Sequence, residues 1–291
     1  MEKAIHSGRS KASALGKKGA GRSAYVMKPE SRALVENFRL MDDTFMSKCL
    51  ENAPECIELI LRVIIGKKDL KVIKSQTEYP IKSLQGRGVR FDVFARDSKG
   101  REYDIEIQRA DKGAEPKRAR YNSALMDANA LKSGEDFGKL RDTYVIIITE
   151  NDVMGRGQGV YVFDRMDKKC GLDFGDGAHV VYANGMWRGD DALGRLMCDF
   201  NCRDANKMHY DVLKKRVSQL KNSEEGRRIM CKAVEEFAER RAAEAKAEGE
   251  RKTMLATAKR MLESGMLALK DIAKFSGLSL VQVKKLQAEM A

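Results

Sequence analysis

Residues 90–108 read RFDVFARDSKGREYDIEIQ, and this stretch predicts the β-hairpin around which the chain is organised. Apolar and polar side chains alternate on both sides of residues 98–100 (Ser-Lys-Gly), which is the pattern of two half-buried strands. A three-residue loop commonly ends in a left-handed residue, and glycine adopts that conformation at the least cost. Centring the hairpin on Lys99 sets a register in which Asp92 faces Glu106.

The two faces of the predicted hairpin differ in chemistry. The face expected to enter the core is apolar and consists of Phe91, Val93, Ala95, Tyr103, Ile105 and Ile107. The opposite face is mostly polar or charged and consists of Arg90, Asp92, Phe94, Arg96, Glu102, Asp104, Glu106 and Gln108. Because a slip of one residue would exchange the two faces, the register is strongly specified.

The opposed pair of acids, Asp92 and Glu106, is the unusual feature of the polar face. Cross-strand Cβ atoms lie about 5 Å apart, and like charges at that distance destabilise a sheet. Two interpretations are open. Either Arg90 or Arg96 neutralises the acids on an ordinary charged face, or a divalent cation lies between the carboxylates. Mg²⁺ suits the second interpretation, because it takes oxygen ligands, keeps several waters and needs only one or two protein carboxylates.

The flanking sequence predicts a mixed α/β domain over residues 38–222. Runs typical of strands lie at 70–74, 89–96, 101–108, 144–149, 159–163 and 179–183. A helix is expected from Pro116 to about Leu131, and other helices precede and follow the strands. The run Val145–Ile148 is apolar on both faces, as a central strand covered on each side by helices requires.

The hairpin sequence resembles the active-site hairpin of the PD-(D/E)-x-K nuclease superfamily, and more narrowly its branch of recombination-promoting nucleases and transposases (Rpn). The signature of that branch is an Asp on one strand and a Glu-x-Gln on the next. Residues 41–50 (MDDTFMSKCL) resemble its N-terminal helix, and residues 116–149 resemble its Arg-rich helix and following apolar strand. The resemblance covers about residues 38–165 and implies a restriction-endonuclease-like mixed sheet flanked by helices, with a helical C-terminal extension.

The resemblance also implies a role for each matching residue. Asp92 and Glu106 would be the catalytic, metal-binding carboxylates, and Ile107 would offer its backbone carbonyl to the same metal. Gln108 would be a catalytic residue in the place of the superfamily's lysine, without the positive charge of a lysine. Asp43 is an additional acidic candidate on the first helix. The implied cofactor is Mg²⁺, with Mn²⁺ as a substitute, and the implied reaction is phosphodiester hydrolysis in DNA.

Several basic residues are candidates for contacts with the DNA backbone. Lys117, Arg118 and Arg120 open the helix that follows the hairpin, and the alternative for them is a solvated helix face. Arg90 lies on the same hairpin face as Asp92. It is explained equally well as a phosphate contact or as a salt-bridge partner of Asp92.

The composition favours a polyanionic partner, nucleic acid before a membrane surface. The 291 residues carry a net charge of +12, and the segment 1–37 is basic, rich in small residues and expected to be a disordered tail. No apolar run is long enough for a membrane span, and the N-terminus lacks the apolar core of a secretory signal. Six irregularly spaced cysteines favour a reducing, cytoplasmic location.

The C-terminal part is predicted to be helical. Residues 223–250 read as a long helix or linker, and residues 251–291 as a small helix-turn-helix-like module with Gly277 in its turn. Lys284 and Lys285 would lie on the second helix of that module and could reach DNA phosphates. The alternatives are simple packing, or a homodimer formed through these helices.

Two functions from different classes therefore follow from the sequence. The first is a Mg²⁺-dependent DNA endonuclease associated with transposition or recombination. The second is a catalytically weak DNA-binding or protein-interaction factor that uses the basic tail and the C-terminal helices. The sequence leaves open the cleavage specificity, the number of metal ions and the oligomeric state.

Overall fold

A computed structural model describes residues 29–83, 87–109 and 113–290. Most of the predicted disordered tail, residues 1–28, lies outside the described residues. The last part of that segment differs from the prediction, because Pro29–Asn37 forms helix α1. Val35 of this helix is buried in the core, a long-range contact that local composition does not reveal.

Two helices precede the sheet. Helix α2 spans Asp43–Leu50 and helix α3 spans Pro54–Ile65. Pro54 occupies the first turn of α3, where a missing N–H costs no helical hydrogen bond. Gly66 ends α3 in a left-handed conformation with φ of 74°. Both helices pack their apolar side chains against one face of the sheet.

The strands form a mixed sheet and confirm the predicted α/β class. They span Val72–Ile81 (β1), Val89–Asp97 (β2), Glu102–Gln108 (β3), Thr143–Thr149 (β4), Val160–Phe163 (β5) and Ala178–Asn184 (β6). Their order is β1-β2-β3-β4-β6-β5, in which β3, β4 and β6 run parallel and the other neighbours antiparallel. Strand β4 is buried along its whole length, as predicted for a central strand.

The hairpin β2–β3 has the predicted register over most of its length. Arg96 pairs with Glu102 and Phe94 pairs with Asp104, and Gly100 has a left-handed φ of 83°. The regular ladder ends at the pair formed by Val93 and Ile105. Asp92 and Glu106 would form the next pair of the register, so the strands separate where these two acids lie.

The two faces of the sheet carry separate cores. The first core contains the predicted inward residues Val93, Ala95, Tyr103, Ile105 and Ile107, covered by α2, α3, α5 (Ala192–Asn201) and α6 (Asp211–Asn222). The second core lies under helix α4 (Pro116–Ala130). Phe91 was predicted on the first face but packs in the second core. The alternation of side chains between the two faces is interrupted near Phe91. There β2 no longer pairs with β3, and Glu78 on the adjacent strand β1 has an irregular φ of 50°.

Three helices complete the described chain. Helix α7 spans Glu224–Ser264, α8 spans Leu269–Ser276 and α9 spans Leu280–Met290. The predicted boundary at residue 250 falls inside α7, so the two predicted segments share one helix. The end of α7 packs with α8 and α9 around a small apolar cluster of its own. Among the described residues, no helix combines the length and the apolar character that crossing a bilayer requires.

Candidate active site

The site is built where strands β2 and β3 separate. The backbone N–H of Ile107 donates to Oδ2 of Asp92 at 3.0 Å, and the N–H of Asp92 donates to Oε1 of Glu106 at 3.4 Å. Each carboxylate therefore takes the place of a strand carbonyl as the acceptor of a backbone N–H. This exchange brings the two predicted acids together, although they are not a regular ladder pair.

Burial disfavours the charged forms of both acids, and repulsion by Glu106 adds to this effect at Asp92. Desolvation, followed by the charge of Glu106, raises the pKa of Asp92 from 3.8 to about 8. Desolvation also raises the pKa of Glu106, whose side chain is 1% exposed, against the opposing effect of Arg118. A cation placed between the carboxylates would reverse both effects, because opposite charge favours ionised carboxyl groups.

The arginine that neutralises Glu106 is Arg118, not one of the two that the sequence suggested. Its guanidinium donates to Oε2 of Glu106, and it also approaches the carbonyl of Gly113 at 3.4 Å. Arg96 instead binds Glu102 at 3.0 Å, at the other end of the strand. Arg118 belongs to helix α4, so only the packing of this helix on the sheet could reveal the pair.

Gln108 lies beside the acid pair, as the hairpin pattern predicts. Its Nε2 donates to Oε2 of Glu106 at 3.3 Å, the same oxygen that Arg118 contacts. Gly113 lies directly against this amide, since a Cβ at that position would be 1.8 Å from Oε1 of Gln108. Ile107 is buried, and its N–H orients Asp92.

A third buried acid, Asp104, was not among the predicted site residues. Asn122 of α4 donates to its Oδ2 at 2.8 Å, and its Oδ1 has no donor among the described residues. Desolvation raises the pKa of Asp104 well above its usual range, and the protonated form can donate to Glu106. Strand alternation places Asp104 on the polar face with Glu106, so this acid could have been predicted from the sequence. Nothing in the sequence around Asn122 indicates that it contacts Asp104.

Asp43 approaches the site from helix α2. It lines a small cavity of about 80 Å³ together with Asp92, and its charge is one of the causes that raise the pKa of Asp92. The predicted additional acid therefore does reach the neighbourhood of the pair. Four further charged residues of this cavity were not among the predicted site residues: Lys48, Glu78, Glu236 and Arg240.

A network of ion pairs fixes the start of α2 against the ends of β3 and β4. Arg109 donates to Asp42 at 2.7 Å and to Glu150 at 3.2 Å. Arg39 donates to the other oxygen of Glu150 at 2.8 Å, and its backbone N–H donates to Asp42 at 2.7 Å. Because Asp42 directly precedes Asp43, the network positions Asp43 relative to the strand ends.

Basic side chains surround the outer opening of the site. A cleft of about 660 Å³ is lined by Arg90, Lys117, Arg118 and Arg120, all predicted from the sequence, and by Arg87, which was not. The described residues give Lys117 and Arg120 no carboxylate partner. Lys284 and Lys285 are exposed on α9 and do not line this cleft. Four of the predicted DNA contacts therefore line one cleft, and two of them, Arg90 and Arg118, also line a neighbouring cleft with Asp92. The lysine pair lies apart from both, on α9.

The arrangement can be compared with known proteins. Residues 50–184 match the family described as PD-(D/E)XK nuclease family transposase. This region is a PD-(D/E)XK transposase-like domain. No curated protein and no solved structure matches the chain. The matched residues contain β1 to β6 and helix α4, and thus both acids and the arginine-rich helix.

The donor set of the PD-(D/E)XK domain fits a hard divalent cation with few protein ligands. In the described residues no group of three or more His, Cys, Asp or Glu side chains is arranged to hold a metal. Mg²⁺ does not require one, because it commonly binds one or two carboxylates and keeps its waters. The unpartnered oxygen of Asp104 and the raised pKa of Asp92 indicate more acidic groups here than Arg118 neutralises.

Proposed function

We propose that this chain is a Mg²⁺-dependent DNA endonuclease associated with transposition or recombination, with Mn²⁺ as a substitute metal. The observation that carries the proposal is the close approach of two acids where β2 and β3 separate. Asp92 is half-buried, Glu106 is buried, and the backbone N–H of Asp92 donates to Oε1 of Glu106. A purely structural site would gain little from such a pair, because Arg118 compensates the charge of Glu106 alone and a carboxylate removed from water without a partner is costly. The match to a nuclease family and the basic cleft support the same activity.

Each residue of the site has a role in this proposal. Asp92 and Glu106 would hold the cation, together with the backbone carbonyl of Ile107. The cation would supply a water of lowered pKa and stabilise the charge that develops on the phosphate. Gln108 would orient the attacking water through its amide, and Asp43 would provide an additional acidic contact from α2. In this reaction the water oxygen would bond to phosphorus and give up one proton, the bond from phosphorus to one sugar oxygen would break, and that sugar oxygen would take up a proton.

The basic cleft would bind the sugar–phosphate backbone beside the acids. Arg90, Lys117 and Arg120 would contact phosphates, which fixes the position of the duplex without reading its sequence. Arg118 would serve both states of the site. It neutralises Glu106 in the free protein, and its guanidinium would be available to a phosphate oxygen when Glu106 holds a cation instead.

Plasmid cleavage tests the proposal directly. Wild-type protein with Mg²⁺ should nick or linearise supercoiled plasmid, and Asp92→Asn or Glu106→Gln should lower the rate by roughly a hundredfold or more. Glu102→Gln is the matched control, because it removes a carboxylate from the same strand, bound at its far end by Arg96. Equal cleavage by wild type and both site variants would refute the assignment.

The second candidate is a catalytically weak DNA-binding or protein-interaction factor. One observation favours it: Arg118 already neutralises Glu106 without a metal. In that case the exposed Lys284 and Lys285, or the basic tail, would account for DNA binding, and α7–α9 for a homodimer. Loss of DNA affinity in a Lys284→Ala, Lys285→Ala variant, with no effect of Asp92→Asn, would support this second function.

We also propose a cytoplasmic location. None of the six cysteines, all within the described residues, forms a disulfide bond. Free thiols persist in reducing compartments and are typical of cytoplasmic proteins. Fractionation of cells that express the chain would test this location.

A further inference from the structure

Glu78 occupies an unusual position on strand β1. The pairs Thr77–Val93 and Tyr79–Phe91 flank it, so it lies opposite Asp92 in the register of β1 and β2. Its φ of 50° is left-handed, which a non-glycine residue in a strand rarely adopts. Strain of this kind persists only where the surrounding structure holds it, and it concentrates at functional sites.

The side chain of Glu78 holds two arginines from different parts of the chain. Its Oε1 accepts from Nη1 of Arg240 at 3.0 Å and lies 3.8 Å from Nη1 of Arg90. The Arg240 guanidinium also lies over the ring of Phe237, 5.5 Å from its centroid. Arg240 belongs to helix α7, outside the residues that match the nuclease family.

These groups lie at the candidate active site. Glu78, Arg90 and Arg240 line the same small cavity as Asp92. The three side chains are between 34% and 44% exposed, so their ion pairs add little to stability. Within this trio two guanidinium groups share one carboxylate, so the trio carries one net positive charge and several N–H donors for a ligand. The other charged residues that line the cavity are Asp43, Lys48, Asp92 and Glu236.

We propose that Arg90 and Arg240, positioned by Glu78, bind one backbone phosphate of DNA next to the phosphate that is cleaved. Helix α7 thereby completes the active site of the preceding domain. This inference rests on the proposed nuclease function for its substrate, DNA. Glu78 is a positioning residue in it, and the two arginines are the binding residues.

DNA binding in EDTA tests this inference without any need for cleavage. The anisotropy of a fluorescein-labelled duplex would give the affinity of the full chain at several salt concentrations. Arg240→Gln keeps part of the side-chain stem and removes the charged guanidinium that lies over Phe237. We expect a roughly three- to tenfold weaker affinity for DNA. The slope of the logarithm of affinity against the logarithm of salt concentration should fall by about one, because one contact with a phosphate is lost. Arg228→Gln is the matched control, since Arg228 is exposed on α7 and pairs with Glu225 of the same helix.

Glu78→Gln tests the positioning role, because the two explanations predict opposite changes in DNA affinity. Long-range electrostatics alone predicts tighter DNA binding, because the variant loses a negative charge. A positioning role predicts weaker binding, because both arginines lose the group that orients them. Arg240→Lys should retain the salt dependence of the wild type while losing part of the affinity. Melting temperatures of all variants would confirm that they are folded.

Several outcomes would overturn the inference. Unchanged affinity of Arg240→Gln, or tighter binding by Glu78→Gln, would show that the cluster does not bind phosphate. Faster plasmid cleavage by Arg240→Gln at unchanged affinity would show that α7 covers the site instead. A wild-type protein that binds DNA through Arg240 but does not cleave it would refute the nuclease function and leave this inference standing.

Discussion

Replacing Asp92 with asparagine should stabilise the metal-free protein. The asparagine keeps an oxygen that can accept the N–H of Ile107, which Asp92 accepts at 3.0 Å. It removes the charge that burial and Glu106 disfavour. The change therefore isolates the electrostatic cost of the acid pair, with the backbone contact retained.

The size and pH dependence of this effect follow from the pKa of Asp92. The pKa rises from 3.8 to about 8 on folding, so the stability associated with the protonated group is present below pH 4 and is lost as the pH rises to about 8. The full shift corresponds to about 6 kcal/mol at most. Because Asp92 is only partly buried, solvent screens it, and we expect on the order of 2 kcal/mol above pH 8.

Thermal melting in EDTA between pH 5 and pH 9 is the assay. A gain of about 2 kcal/mol raises the melting temperature of a domain of this size by roughly 4–8 °C. The difference between variant and wild type should grow up to about pH 8 and then level off, because below pH 8 the folded wild type holds a proton on Asp92 that the unfolded chain has already released. Asp190→Asn is the matched control, since Asp190 is fully exposed and makes only a loose pair with Arg195.

Adding Mg²⁺ should reverse the order of the two proteins. A cation that binds only the native state stabilises it by about 2.7 kcal/mol at a hundred times its dissociation constant. Wild type should gain this stability and Asp92→Asn should lose most of it. A variant that is less stable than wild type in EDTA at pH 8, or that gains as much from Mg²⁺, would refute the reasoning.

Two further predictions concern the contacts of helix α4 with the acids. Arg118→Ala leaves the buried Glu106 without its cationic partner and should lower the free energy of unfolding by about 2–3 kcal/mol, measured in urea at pH 8 in EDTA. Lys117→Ala, at the exposed neighbouring position, is the control and should lower it by less than about 0.5 kcal/mol. Equal losses in the two variants would contradict a role of the ion pair in stability. Asn122→Ala removes the donor to the fully buried Asp104 and should cost about 1–3 kcal/mol in the same assay. An unchanged midpoint for this variant would show that the amide does not support the acid.

The hairpin illustrates what local pattern can predict. Alternation and the glycine in the turn predicted the register, and the pairs Arg96–Glu102 and Phe94–Asp104 confirm it. The same alternation failed at Phe91, which packs in the second core. A period of two assumes a regular strand, and the strand is irregular where Glu78 and Asp92 lie.

The identity of the ion pairs could not be predicted from sequence. Arg90 and Arg96 are neighbours of the acids along the hairpin, yet Arg118 is the group that contacts Glu106. The long helix α7 carries Arg240 to Glu78, 162 residues away in sequence. Pairing of this kind depends on how the helices pack on the sheet. The spacing of charged residues in the sequence does not indicate the angle of that packing.

The sequence by itself determined the α/β class, the hairpin and the two acids on its polar face, because period-two alternation and turn chemistry are local properties of the chain. The tertiary structure decided the separation of the strands at Asp92, the buried position of Asp104 and the partner of each charge. Those features arise from contacts between distant segments. Their energies depend on burial and distance, which exist only once the chain has folded.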